Sequence, residues 1–405
     1  MPPLDQFIDE AVQFLDEVTV PRSEDEGFRW GKGPDRINFM SSHTREEELA
    51  EVEAARSWRA LRYDAGLGYL TGPPEYGGRG LGHDYEAAYR SAELDYVVPS
   101  QECFTIGLGM VAPTIQQHGT DVVKQRYLAA LHRGDILAAQ LFSEPGAGSD
   151  LAGLQLRAER DGEGWVLNGQ KVWTSGAHHA HIGEVLCRTN PHVPKHQGIT
   201  AFVVDLRAPG VDIRPLHQMN GGAHFNEVFL DDVFVPDDHR LGDVDRGWAV
   251  ALSTLMNERA AVGTGAASFI DVADLDRLAA LVDHEWRGDS TLARDALATI
   301  YSSRRLTEIS TQRALAGLQP GEAPGPELSM GKLTATRNIQ RVSNLVGDVL
   351  GPKLVADTGE WGTFAWANVV LGGPGSRIAG GTDEIMKNIL GERVLGLPKE
   401  PGQGR

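Results

Sequence analysis

Three groups of residues in this chain have the types and spacing to do chemistry together. The first is a small-residue loop, Leu141-Phe142-Ser143-Glu144-Pro145-Gly146-Ala147-Gly148-Ser149-Asp150. Gly146, Ala147 and Gly148 let backbone N–H groups approach a ligand closely. Ser143 and Ser149 add hydroxyls that donate or accept. Such a loop suits a flat, polar-edged, phosphorylated cofactor. The second group is Lys171-Val172-Trp173-Thr174-Ser175-Gly176, an indole plate followed by two hydroxyls. Loop and plate together would cradle an isoalloxazine ring. The third is Glu258. Ala251, Leu255 and Val262 lie at i−7, i−3 and i+4 from it and share its helix face. A carboxylate therefore interrupts an apolar stripe. Burial there would disfavour the charged form and raise its pKa, as a general base near neutral pH requires. The alternative is a structural Glu258, paired with Arg259 or a neighbouring helix.

These groups need elements to hold them. Residues 1–138 read as helical. Phe7, Ile8, Ala11, Val12, Phe14 and Leu15 recur at helical spacing, and helices are predicted over 46–63, 87–119 and 122–131. Residues 27–40 read as a long loop, and 66–82 as a glycine-dense turn region. The period then shortens to two. Leu154, Leu156 and Ala158 alternate with Gln155, Arg157 and Glu159, as in a half-exposed strand. Asn168-Gly169 predicts a tight hairpin. Further strands are expected over 182–187, 200–206, 211–216 and 228–234. Helical spacing returns from Gly247, with helices over 292–318, 333–350 and 382–394 and a linker over 319–326. Thr382 is placed as the last helix's N-cap, with Asp383 and Glu384 in its first turn.

Composition narrows the function classes. The chain has 405 residues and a formal net charge of −18. That balance argues against nucleic-acid binding, which relies on clustered Lys and Arg. No apolar run approaches the ~18 residues a membrane helix needs, and the first twenty are too polar for a secretory signal. Cys103 and Cys187 lie far apart, so a reducing cytoplasm is the expectation rather than a disulfide. His178, His179 and His181 read as surface histidines. No carboxylate or thiol sits at ligand spacing, so no metal is expected.

The loop and the Trp173 segment, in this order and spacing, resemble the acyl-CoA dehydrogenase family. The resemblance runs over residues 61–398. It implies an α+β fold with an N-terminal α-helical domain (1–138), a central small β-barrel or sandwich domain (139–240), and a C-terminal four-helix-bundle domain (241–405). It implies FAD as cofactor and an acyl-CoA thioester as substrate. The product would be the trans-2-enoyl thioester, and electrons would pass to electron-transferring flavoprotein. Phe142, Ser143, Gly148 and Ser149 fall on the family's flavin segment, Ser149 also reaching substrate. Trp173, Thr174 and Ser175 fall on its second segment, with the Ser175 hydroxyl placed toward flavin N5. Thr382 and Glu384 fall where the family touches the cofactor's pyrophosphate and adenine.

The resemblance also carries departures. Many members place the base just before Gly-Thr in the last helical segment, where this chain reads Ala379-Gly380-Gly381-Thr382. Other members carry it in the first helix after the β domain, which here holds Asn257-Glu258-Arg259. Glu258 is thus the expected base, with Arg259 orienting the pantetheine or the helix. Gly380 keeps an N–H for the thioester oxygen and opens volume for a bulky or branched acyl group. The family's Arg-x-x-Phe and Gln-x-x-Gly-Gly elements reach a neighbouring subunit's flavin. Here those regions read Asp283-His284-Glu285-Trp286-Arg287-Gly288-Asp289 and Asp348-Val349-Leu350-Gly351-Pro352. That implies a homo- or hetero-oligomer, with a mixed assembly of unlike subunits favoured and weak flavin loading in the isolated chain. The competing readings are a non-catalytic or half-site subunit that supports a partner's site, and a flavin monooxygenase or nitroalkane-type oxidase on the same fold.

Overall fold

Phe7, Ala11 and Leu15 recur every four residues, and α1 (Leu4–Val18) buries that stripe. The computed structural model describes residues 2–22, 28–37, 39, 44–263, 274–316 and 325–399, without the side chains of 259–263 and 315–316. The chain packs as two compact units. One holds Met1–Gly27, His43–Leu216 and Ala223–Thr254; the other holds Phe28–Ser42, His217–Gly222 and Leu255–Arg405.

In the first unit, α1 shares its core with Leu67, Leu70, Tyr85 and Tyr89. Helix α2 (Arg45–Asp64) opens on a capping box, with Thr44 and Glu47 each satisfying the other's backbone N–H. The single helix expected over 87–119 is broken. α3 (His83–Glu93) stops, and the chain runs extended beside residues 20–22, with Val97 N–H on Val20 O at 2.9 Å and Arg22 N–H on Asp95 O at 2.8 Å. Pro99 lacks the N–H a continuing helix would need. Helix returns as a π turn at Gly107–Val111, then α4 (Ala112–His118) and α5 (Asp121–Arg133).

The strands are β1 (Ala138–Leu141), β2 (Arg157–Asp161), β3 (Gly164–Ser175), β4 (Ile182–Arg188), β5 (Ile199–Asp205), β6 (Val211–Leu216), β7 (Phe225–Pro236) and β8 (Arg240–Leu241). They form one sheet in the order β6-β7-β3-β2-β4-β5-β8, with β1 parallel to β4. The sheet does not close into a barrel. Its two end strands, β6 and β8, do not pair with each other, although Val211 and Ile213 of β6 pack against the core. The expected hairpin at Asn168-Gly169 is a bulge within β3, where the register against β7 shifts between Leu167 and Gly169. Gly169 has φ of 147°, and a Cβ there would meet Leu156 Cα at 3.0 Å, so close strand approach rather than chain reversal requires the glycine. The reversal between β2 and β3 falls at Asp161–Gly164, where Asp161-Gly162-Glu163-Gly164 predicts a turn.

Glu184 on β4 is fully buried. Its Oε1 lies 2.6 Å from Thr254 Oγ1, on α6 (Gly247–Gly263), and its Oε2 has no partner among the described residues. Thr254 Oγ1 is 2.9 Å from Thr114 Oγ1. Burial pushes the Glu184 carboxyl up to about 8, against the pull of the Thr254 hydrogen bond. A folded value above the unfolded one gives a stability contribution that is whole below about pH 4.5 and lost as pH rises through about 8. At about 1.4 kcal/mol per unit, Glu184→Gln should stabilise the fold at neutral pH by roughly 1–3 kcal/mol. Unfolding free energies measured from pH 4 to 9 should show the gap between variant and wild type widening with pH. A constant gap would refute the assignment.

In the second unit, α7 (Leu275–Glu285), α8 (Ser290–Ala316), α9 (Ser329–Leu350), α10 (Ala367–Ser376) and α11 (Asp383–Ile389) carry the core. Leu278, Leu281, Ile300, Ile339, Val342, Val346, Trp366 and Val369 form its centre, joined by Ile37 and Phe39. Much of the region expected as a long loop is therefore a strap bound to these helices. Asn368 Nδ2 donates to Ile37 O at 3.2 Å and Phe39 O at 2.6 Å. Arg277 pairs with Asp35 at 3.0 Å, and Trp30 stacks on His284 with centroids 4.5 Å apart. Most of the predicted linker over 319–326 lies outside the described residues. No helix among the described residues is long and apolar enough to cross a membrane.

Candidate active site

The two sequence segments read as a cofactor cradle meet in the first unit. Strand β1 delivers the loop, and Glu144 and Ala147 exchange backbone hydrogen bonds at 2.9 and 3.0 Å across the turn between them. Val172 N–H then donates to Ser143 O at 2.9 Å, joining loop to strand β3. Beneath this bond lies a buried ion pair. Lys171 Nζ is 2.8 Å from Glu144 Oε1 and donates to Phe142 O at 3.1 Å. Glu144 also accepts from Gln155 N–H at 2.6 Å and Leu156 N–H at 2.9 Å. Burial pulls the Lys171 ammonium below its ordinary range, while the Glu144 carboxylate pulls it back. Neither Lys171 nor Glu144 stood out in the sequence, because a buried charge looks there like any solvated one.

On the open side of the cradle, Gly148 and Ser149 are exposed, Ser143 and Ser175 half-buried, and Phe142 buried. Hypothetical Cβ atoms on Gly146 and Gly148 would meet nothing within 4 Å. Trp173 sits at the second register shift of β3 with φ of 60° and 62% of its surface exposed. A bulky residue in the left-handed region costs about 1–3 kcal/mol and marks a site where strain serves a purpose. Next to it, the buried Thr174 Oγ1 has no partner among the described residues.

The second unit brings Glu258 and Gly380 together. A methyl group on Gly380 would lie 3.0 Å from Glu258 Oε1. Gly380 and Gly381 have φ of 63° and 85°, a left-handed pair that turns the chain into α11. Thr382 caps that helix, accepting from Ile385 N–H at 3.2 Å. Lys332 on α9 holds the turn, donating to Gly381 O at 2.7 Å. Burial lowers the Lys332 pKa, while the charges of Asp383, Glu258 and Glu384 raise it. The buried Asp383 accepts from Arg377 at 2.7 Å and Thr336 at 2.9 Å. Burial raises the Asp383 pKa, but these hydrogen bonds and the charges of Lys332 and Arg377 carry it below the usual carboxylate value. Glu258 itself is half-buried rather than buried. Glu384 is exposed beside Lys387 at 3.6 Å. The Arg259 side chain lies outside the described residues.

Comparison with known proteins bears on this arrangement. Residues 37–135, 139–233 and 245–395 match the N-terminal, middle and C-terminal domains of acyl-CoA dehydrogenase. The chain belongs to the acyl-CoA dehydrogenase family. Among its curated relatives, FadE34 of Mycobacterium tuberculosis is 42% identical over 71% of the chain, which spans 39% of that protein's length. IpdE1 of the same organism is 36% identical over 87% of the chain and 90% of its own length. The solved Tcur3481-Tcur3483 steroid ACAD superposes with a TM-score of 0.72 at 24% identity, covering 99% of each chain, and attests the fold. In acyl-CoA dehydrogenase terms, seven of the expected flavin contacts lie in the first unit, namely Phe142, Ser143, Gly148, Ser149, Trp173, Thr174 and Ser175. Glu258, Gly380, Thr382 and Glu384 lie in the second. Lys332, Thr336, Arg377 and Asp383 hold the Gly380 turn, and sequence reasoning overlooked all of these except Asp383, which it took for a helix-dipole acid.

Proposed function

We propose that the chain is an FAD-dependent dehydrogenase of an acyl-CoA thioester, with Glu258 as the base. The observation that carries this is the 3.0 Å between Glu258 Oε1 and the Cβ position of Gly380. The family's two alternative base positions converge on one place, and among the described residues only Glu258 supplies a carboxylate to it. The first unit's residues fit a flavin: an exposed indole, a buried hydroxyl on Thr174 with no partner among the described residues, and open space beside Gly146 and Gly148. FAD, when bound, would accept the β-hydrogen as hydride.

The chain's own groups do the rest. Glu258 removes the α-proton, forming its own carboxylic acid as the Cα–Cβ double bond develops. The Gly380 N–H donates to the thioester oxygen, where enolate charge grows. Lys332 keeps the Gly380–Gly381 turn in place and sets a positive charge near the base. The open volume at Gly380 suits a bulky or branched acyl group, and the solved steroid relative fits that reading. Phe142, Ser143, Gly148, Ser149, Trp173, Thr174 and Ser175, together with Thr382 and Glu384, are proposed flavin contacts. Ser149 and Arg259 are proposed substrate contacts. Electrons would leave to electron-transferring flavoprotein.

A mixed assembly is part of the proposal. Where the family extends an Arg toward a neighbour's flavin, this chain spends its side chains within its own unit. His284 stacks on Trp30, and Glu285 pairs with Lys353 at 2.8 Å. The solved relative is named for two chains, Tcur3481 and Tcur3483. One experiment tests the whole reading. The chain is purified alone and after co-expression with a second dehydrogenase subunit, its flavin content is measured, and each preparation is titrated with a panel of acyl-CoAs. Low flavin alone, full loading in the pair, and bleaching by a bulky acyl-CoA are expected. Full loading in the isolated chain would remove the mixed assembly. A loaded flavin that no acyl-CoA bleaches would remove the dehydrogenase activity.

A further inference from the structure

We infer that Glu48, His178 and His179 form a binding site for a divalent transition-metal ion, zinc by its ligand set. The site lies wholly in the first unit. The sequence offered two adjacent histidines without a carboxylate. The fold supplies one from α2, 130 positions earlier. His178 Nε2 is 2.9 Å and His179 Nε2 3.0 Å from the same atom, Glu48 Oε1. Adjacent side chains usually diverge. Here the turn after β3 brings both imidazoles onto one oxygen, and the candidate ligand atoms of the three residues all lie within 4.8 Å of one another. Zn–N bonds of about 2.0–2.1 Å and Zn–O bonds of about 2.0–2.2 Å put tetrahedral ligands roughly 3.4 Å apart. The two separations from Glu48 Oε1, 2.9 and 3.0 Å, would open by about half an ångström.

The surrounding hydrogen bonds point the same way. Asn226 is fully buried, and its Nδ2 donates to Thr174 O at 3.0 Å and His224 O at 3.2 Å. Its Oδ1 therefore faces His178 Nδ1, at 3.1 Å, and must accept from it. With its proton on Nδ1, a neutral His178 turns the Nε2 lone pair straight at a carboxylate oxygen. That contact needs a cation, either a proton on Nε2 or a metal between the two atoms. A ligating histidine that donates its other N–H to a fixed acceptor is the arrangement that orients zinc ligands. Arg45 Nη1 stands 3.3 Å from His179 Nε2 and 3.5 Å from Glu48 Oε2; its side chain is 55% exposed, and a bound ion would displace it toward solvent. His181 is turned elsewhere, accepting from Leu137 N–H at 3.2 Å. The fourth position is left for water. The ion would clamp α2 to the end of the strand that carries Trp173, Thr174 and Ser175.

The test is zinc titration of the chelator-treated chain by calorimetry, alongside Glu48→Gln and His179→Gln, with His192→Ala as control. One equivalent of Zn2+ should bind to the wild type and the control, and be lost in each of the other two. Cobalt(II) added to the wild type should give the intense visible absorption of a tetrahedral site. Equal zinc binding in all four proteins would overturn the proposal. So would a colourless cobalt complex of the wild type, which needs no variant to fold.

Discussion

Glu258→Gln is expected to lower kcat by about 10²–10⁴-fold, the usual contribution of a positioned general base, while bound flavin is retained. Glutamine keeps the shape and cannot take the α-proton. The loss should appear in flavin reduction by acyl-CoA as well as in steady-state turnover, because the proton leaves in the same chemical step. The neighbourhood makes the prediction specific. Among the described residues, Glu258 Oε1 is the one atom that a Cβ on Gly380 would meet within 4 Å, leaving out its chain neighbours. Lys332 stays anchored on Gly381 O at 2.7 Å in the variant, so the turn should keep its form. Near-normal flavin reduction in Glu258→Gln would end the assignment and return Glu258 to a structural role.

Lys171→Met is expected to destabilise the first unit by about 3–5 kcal/mol, the cost of stranding one partner of a buried ion pair. The Glu144 carboxylate would keep its two backbone donors, Gln155 and Leu156, and lose its counter-charge. Phe142 O would lose its bond from Lys171 at 3.1 Å, so the loop should loosen and flavin affinity fall. The double variant Lys171→Met/Glu144→Leu should recover much of the stability, because removing both charges removes the stranded one. Urea unfolding of the two single variants and the double gives the coupling energy directly. A single-variant loss below about 1 kcal/mol would place the pair among weak surface contacts.

These predictions rest on links of very different visibility. The segments themselves were legible. Small residues and hydroxyls at 143–149 and the indole at Trp173 stand out by local composition, and the structure joins the two segments through Val172 N–H on Ser143 O, with Trp173 on β3. Thr382 caps α11 as its position before Asp383 and Glu384 implies. Helices 46–63 and 333–350 and most strands fell within a few residues of their places, because hydrophobic period is a local signal. Local signals also misled. Asn168-Gly169 has the residues of a hairpin turn, but the partner strand β7 continues past it and the pair becomes a bulge. The run 87–119 has helical spacing, but pairing with residues 20–22 and the missing N–H of Pro99 broke it.

What the sequence by itself determined is most of the elements and the resemblance to the family, with a carboxylate at Glu258 and none at Gly380. What only the tertiary structure decided is which polar groups meet. Lys171 finds Glu144 across 27 residues, Lys332 finds Gly381 across 49, and His178 finds Glu48 across 130. Helical and strand periods report neighbours within a turn or two of chain, whereas these contacts are set by how whole helices and sheets pack. A charged residue that ends up buried is written with the same letter as one that ends up in water, and only packing tells the two apart.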